Sequence, residues 1–204
     1  MSDQLPERAQ ALIDFWFGPA NDSLREQHRE IWFHSTPEHD ATLRRLFLPD
    51  YAQAAAGAFA AWEATPEGAL ALVLLLDQVP RNVFRDTPRC YDADASARAV
   101  ADRALARGFD VQVSPAWRLF FYMPLHHSEY LADQRRAEAL TATLRADRDP
   151  ERRGDGANRR YGMPYPEVIA RFGRFPHRNR ILGRPSTPEE AAFLAELDAR
   201  RRAR

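Results

Sequence analysis

Eight consecutive apolar residues, Ala69–Leu76 (ALALVLLL), run without a break into Asp77-Gln78-Val79-Pro80-Arg81-Asn82. A helix that is apolar on every side has no face to offer water, so this run predicts a helix in the middle of the core. It falls far short of the ~20 residues needed to cross a membrane. Other helices must therefore surround it, and its polar end must find partners inside the protein. An unpaired charge in such a place costs several kcal/mol. Asp77 and Arg81 are four residues apart, the spacing of a helical ion pair, with Pro80 expected to distort that turn.

The rest of the chain reads as helical too. Thr-Pro-Glu occurs at Thr36, Thr65 and Thr187. In each copy Thr suits the cap, Pro the first helical position and Glu the positive helix end. The stretch Asp92–Gly108 adds an Asp cap, a terminal Gly and a run of small apolar residues suited to close packing against a neighbour. Helices are expected at about 6–17, 37–47, 50–63, 66–79, 93–107, 115–122, 127–145, 164–172 and 187–201. No stretch alternates with period two over β-branched residues, and no Asn-Gly hairpin signal occurs. The expected fold is all-α, with helix lengths and short turns that suit antiparallel helix pairs. One domain over residues 1–204 is expected, with a charged, mobile loop at 146–160.

Composition excludes several kinds of chemistry. The 204 residues are 45% hydrophobic, enough for a sizeable core, and formal charge cancels, so nothing calls for nucleic acid or a membrane surface. All 29 basic residues are Arg, which removes lysine Schiff bases and phosphate-loop lysines. The single cysteine, Cys90, excludes an internal disulfide and a multi-cysteine zinc site. The N-terminus lacks the pattern of a signal peptide, so a cytoplasmic protein is expected.

Three polar clusters carry the candidate chemistry. The first is Asp77, Gln78, Arg81, Asn82 and Arg85 at the end of the apolar helix. The second follows Pro124, read as the start of a new segment, and holds His126, His127, Ser128 and Glu129 at the head of a helix. There His126 and Glu129, three apart, are placed to face the same way. A Ser next to a His does not make a nucleophile–base pair, because helical neighbours diverge. The third is RFPHRNRIL, Arg174–Leu182, read as a rigid turn through Pro176 between a helix ending at Gly173 and a capped helix from Pro188. It presents Arg174, His177, Arg178 and Asn179, and turn residues on a rigid scaffold are favoured places for function. His126, Glu129, His177 and Asp77 show no spacing diagnostic of a metal, and neither metal nor cofactor is expected.

LLLDQVPRNVFRDTPR, YMPLHHSEYLADQ and FGRFPHRNRILGRPSTPEE, in that order, resemble the DUF924 family of bacterial proteins of uncharacterised function. The likeness extends from FWFG at Phe15 to the C-terminal helix. It implies an all-α domain with a tetratricopeptide-repeat-like superhelix, and no established reaction. It also implies a polar signature at Asp77, Gln78, Arg81, Asn82 and Arg85, at His127, Ser128 and Glu129, and at Arg174, His177, Arg178 and Asn179. The chain departs from the family in writing His126 where Phe is usual. It also lacks a His that often precedes FGRFPHRN.

Two readings follow. In one, the clusters converge on an enclosed site that binds a small anionic molecule and acts on it. His127 or His177 would be the acid–base group, Glu129 or Asp77 its orienting partner, and Arg81 and Arg178 the anion clamp. In the other, the clusters are internal latches in a scaffold that grips a peptide or protein partner in a concave groove. The concentration of polar residues at three helix ends, bracketed by Pro, favours the first.

Overall fold

The structure, a computed structural model, describes residues 5–148 and 163–202. Regular structure among these residues is entirely helical: α1 (Glu7–Phe17), α2 (Pro37–Ala55), α3 (Pro66–Val73), α4 (Val79–Val83), α5 (Asp94–Ala106), α6 (Pro115–His126), α7 (Leu131–Arg148), α8 (Tyr165–Phe172) and α9 (Pro188–Arg202). A π-helical segment, Leu74–Gln78, joins α3 to α4. The all-α expectation holds. Of the segment expected as a mobile loop, residues 146–148 belong to α7, and 149–160 lie outside the described residues. No described helix is long and apolar enough to cross a membrane.

Each Thr-Pro-Glu starts a helix as its chemistry requires. The hydroxyls of Thr36, Thr65 and Thr187 accept from the N–H groups of His39, Gly68 and Glu190, each at 3.2 Å. Glu190 returns a bond, accepting from the Thr187 N–H at 2.8 Å, which completes a reciprocal capping box. The Asp cap expected for the fifth helix does not form. Its cap position falls on Ala93, which makes no side-chain cap bond, and Asp94 lies in the first turn.

Prolines caused the largest misreadings. Helix ends were expected before Pro49, Pro80 and Pro124, yet Pro49 lies inside α2, Pro124 lies inside α6, and Pro80 lies in α4. A proline inside a helix removes one hydrogen bond and clashes with the carbonyl four residues back, costing ~3 kcal/mol. Buried residues on both sides offset that cost: Phe47 and Tyr51 around Pro49, and Phe120, Phe121 and Leu125 around Pro124. Pro80 is accommodated differently. The Val79 N–H reaches back five residues to the Leu74 carbonyl, and this wider turn relieves the clash. At the other end of α2 the helix stops at Ala55 and the chain continues into a 3-10 turn, Ala60–Ala64, where a helix running from 50 to 63 was expected.

The chain forms two compact units. The first comprises residues 1–85 and 89–124. Its centre is α3 with the π segment, whose residues Leu70, Val73, Leu74 and Leu75 are completely buried, as the apolar run demands. α1 and α5 pack on α3, and α2 packs on α4. The small buried residues Ala97, Ala101 and Ala104 of α5 let that helix approach closely. Aromatic rings fill the space between α1 and α6: Phe17 stacks on Trp117 at 4.5 Å and meets Phe120 edge-on at 5.5 Å. The second unit, residues 86–88 and 125–204, has its own core of Val168, Ile169, Phe175, Phe193 and Leu197.

Gly68, in the first turn of α3, is required by a neighbour's backbone. A Cβ there would lie 2.1 Å from the carbonyl oxygen of Trp62 and 3.0 Å from the Thr65 hydroxyl. Alanine is the better helix former by ~1 kcal/mol, but the clash with rigid backbone outweighs that. Gly68→Ala is expected to lower the unfolding free energy by about 1–3 kcal/mol in urea denaturation, whereas a stabilised variant would show that the turn before α3 yields freely.

Candidate functional site

The first cluster lies in the first unit and is a chain of ion pairs. The Asp77 side chain is completely buried. One of its oxygens pairs with Arg81 Nη1 at 3.0 Å and the other accepts from the neighbouring Gln78 amide at 2.6 Å. Arg81 Nη1 also donates to the Asp77 carbonyl at 2.7 Å. Its other terminal nitrogen lies 2.8 Å from the Asp94 carboxylate on α5. Burial opposes the charge on Arg81, but attraction from Asp77 and Asp94 outweighs it and holds the guanidinium above its ordinary range. The four-residue spacing thus makes its ion pair despite Pro80, because the helix continues through the proline. Further along, the largely exposed Arg85 pairs with Asp40 at 3.0 Å and donates to the Asn82 side chain at 3.3 Å.

The second and third clusters both lie in the second unit, and they meet there. His126, His127, Ser128 and Glu129 do not head a helix, as the reading of Pro124 had suggested. α6 runs on to His126, and the next four residues link it to α7. His126 and Glu129 therefore do not share a helical face. The buried His126 ring bonds the Thr141 hydroxyl at 2.8 Å. Ser128 accepts from the Tyr130 N–H at 3.1 Å and donates to Asp133 at 2.5 Å, tying off the start of α7.

Glu129 reaches the third cluster. It accepts the Phe175 N–H at 2.8 Å and binds Arg184 through both guanidinium ends, at 2.6 and 3.0 Å. Burial would raise its carboxyl, but the Arg184 and Phe175 hydrogen bonds prevail and hold it below the usual carboxylate range. Arg178, buried, donates to the His127 carbonyl at 2.8 Å and lies over the Phe175 ring at 4.7 Å. The His177 ring packs against Phe175 at 5.7 Å. Arg174 holds Glu190 with two bonds, at 2.6 and 2.8 Å, and donates to the Pro185 carbonyl at 2.8 Å. Asn179, almost fully buried, donates to Ser186 and Glu190 at 3.1 Å each and accepts from Arg184 at 3.1 Å. The Arg174 hydrogen bonds, with those from Thr187 and Asn179, bring the Glu190 carboxyl down to about 2.

Three participants escaped the reading of the sequence. Arg184 is the bidentate partner of Glu129, 55 residues away in the chain. Asp94 completes the Arg81 chain. Gln134, fully buried in α7, donates to the carbonyls of Leu125, His126 and Ser128 at 3.2, 2.8 and 2.6 Å, and so satisfies the end of α6. The only local hint was Gly183, whose positive φ of 65° turns the chain into Arg184. An open cleft of about 330 Å3 is lined by Arg171, Phe172, Arg174, Thr187, Glu189 and Glu190, so its charged side chains cancel. Among the described residues no three His, Cys, Asp or Glu side chains are grouped to hold a metal ion.

The chain matches a family model, that of "Bacterial protein of unknown function (DUF924)", over residues 12–198. The chain belongs to the DUF924 family. Its structure is similar to that of a protein of unknown function, ATU0120, from Agrobacterium tumefaciens. The two are 37% identical with a TM-score of 0.78, over 92% of this DUF924 chain and 97% of the other. A comparison with curated proteins returned no match.

Two outcomes are expected for this DUF924 protein. Asp77→Ala leaves Arg81 with Asp94 alone in a buried place, and is expected to lower the unfolding free energy by about 3 kcal/mol; a loss under about 0.5 kcal/mol would contradict the ion-pair chain. The second concerns acid. Glu190 has a folded value of about 2 against an ordinary 4.5. Its contribution is therefore complete above pH 4.5 and drains away as pH falls toward 2. Glu129, held low for the same kind of reason, contributes with the same sign. Urea midpoints measured across that range should fall steeply for the wild type and less steeply for Glu190→Gln.

Proposed function

We propose that this chain is a non-catalytic helical scaffold that grips a peptide or protein partner, and that its polar clusters are internal latches. One observation carries the reading: the carboxylates and guanidiniums that an active site would need are engaged with one another or with backbone. Both oxygens of Glu129 are taken by Arg184 and the Phe175 N–H. Arg178, the expected anion clamp, is buried against Phe175 and holds the His127 carbonyl. Arg81 lies between Asp77 and Asp94. An anion arriving at any of these would have to displace an internal partner already in bonding geometry, at the cost of stranding a charge. The cleft in the second unit does not favour an anion either, because its two Arg side chains pair with its two Glu side chains. The tetratricopeptide-like stacking of helices that the family resemblance implies belongs to the same reading, since such stacks present extended concave surfaces.

The competing reading, an anion-binding site built on Arg178, makes the opposite forecast in one pair of measurements. If Arg178 is a latch, Arg178→Ala lowers the unfolding free energy by about 1.5–3 kcal/mol through loss of a charged hydrogen bond. A thermal-shift screen of phosphates, carboxylates and nucleotides then stabilises neither protein. If it is a clamp, the variant melts like the wild type, and an anion at a hundred times its dissociation constant adds about 2.7 kcal/mol to the wild type alone. That second result would overturn the scaffold reading.

A further inference from the structure

Many arginines of the described residues are matched by a carboxylate, in keeping with the balanced charge of the chain. Arg44 on α2 and Arg89, in the 3-10 turn Pro88–Tyr91, are among those that depart from that pattern. Both are exposed, and neither pairs with a carboxylate among the described residues. They share one ring. The guanidinium of Arg89 lies over Phe84 at 3.9 Å and that of Arg44 at 5.8 Å, so the two charges are at most about 10 Å apart. Phe84 itself is buried and braced edge-on by Tyr51 at 5.6 Å. Arg44 is further held by its hydrogen bond to the Val83 carbonyl. Arg85, next in sequence to Phe84, is largely exposed even while paired with Asp40. All of these residues belong to the first unit.

An aromatic ring under a guanidinium fixes its plane and leaves its N–H edge free to fork onto a carboxylate. We propose that this Arg44–Phe84–Arg89 patch is where the scaffold takes an acidic segment of a partner protein. The proposal rests on the scaffold reading and adds the chemistry of the partner. A segment with several carboxylates suits the patch better than a free anion. Each exposed guanidinium holds a single anion only weakly in water. Carboxylates tethered on one chain bind the second guanidinium at a high effective concentration, once the first is engaged.

The experiment uses the full chain and a fluorescent ten-residue peptide of alternating Glu and Gly, followed by anisotropy at low and physiological salt. Binding is expected that weakens with salt, as screened surface charges require. The double variant Arg44→Ala/Arg89→Ala is expected to weaken it at least tenfold, and Arg89→Lys to weaken it less. Arg135→Ala, which removes an exposed charge from α7 in the other unit, should leave it within twofold. Melting curves of each variant check that folding is intact; among the described residues neither Arg44 nor Arg89 joins an ion pair, and Arg44 loses only its bond to the Val83 carbonyl and its place over Phe84. Equal losses from Arg135→Ala, or equal binding of a Gln-Gly peptide, would overturn the proposal. So would inorganic phosphate that displaces the peptide completely at a concentration matched in carboxylate charge, because the patch would then be a site for free anions. None of these failures touches the latch reading, which fails only if an anion stabilises the wild type through Arg178.

Discussion

A carboxylate with no exposure at the end of a helix with no polar face is the constraint around which the first unit is organised. Asp77 cannot be left charged in that position alone, so the chain must deliver a guanidinium to it. Arg81 arrives from one turn further along, which requires the helix to pass through Pro80 rather than stop before it. The widened turn at Leu74–Gln78 makes that passage possible. Arg81 in turn draws Asp94 from α5, so the same charge that satisfies Asp77 also fastens α5 to the central helix.

The second unit solves a similar problem with different parts. Its polar residues fill a tight turn, residues 173–187, and the link between α6 and α7, where backbone groups lose their helical partners. Gln134, Glu129 and Arg178 reach across to those groups, and Asn179 ties the Ser186 and Glu190 side chains together. Arg174 and Glu190 close the turn onto the capping box of α9. Arginine suits this work because its planar fork spans a carboxylate and a carbonyl at once, as Arg184 does with Glu129 and Phe175. Side chains so engaged position the chain.

The same chemistry-rich motifs suit both an enclosed site and a set of internal latches. His, Asn, Arg and Glu bracketed by Pro and apolar residues read the same whether they face a ligand or each other. Whether a buried polar group meets a substrate or an internal partner depends on which distant residue is folded against it.

The sequence by itself determined much that is local. The apolar run from Ala69 to Leu76 had to be central, and the three Thr-Pro-Glu starts had to cap helices. Asp77 and Arg81 had the spacing to pair. Each of these rests on groups within a few residues of one another, where backbone geometry leaves little choice. Three things were decided by tertiary structure. Pro49 and Pro124 stayed inside helices because burial of their neighbours outweighs a lost hydrogen bond, and Pro80 did so through the widened turn before it; no local window records either. Glu129 found Arg184 rather than a histidine, 55 residues away. Among the described residues Arg44 and Arg89 share a ring without a carboxylate, while Arg8, Arg25 and Arg174 are matched. Pairing between distant charges depends on where whole helices come to rest, and the packing of their apolar faces settles that.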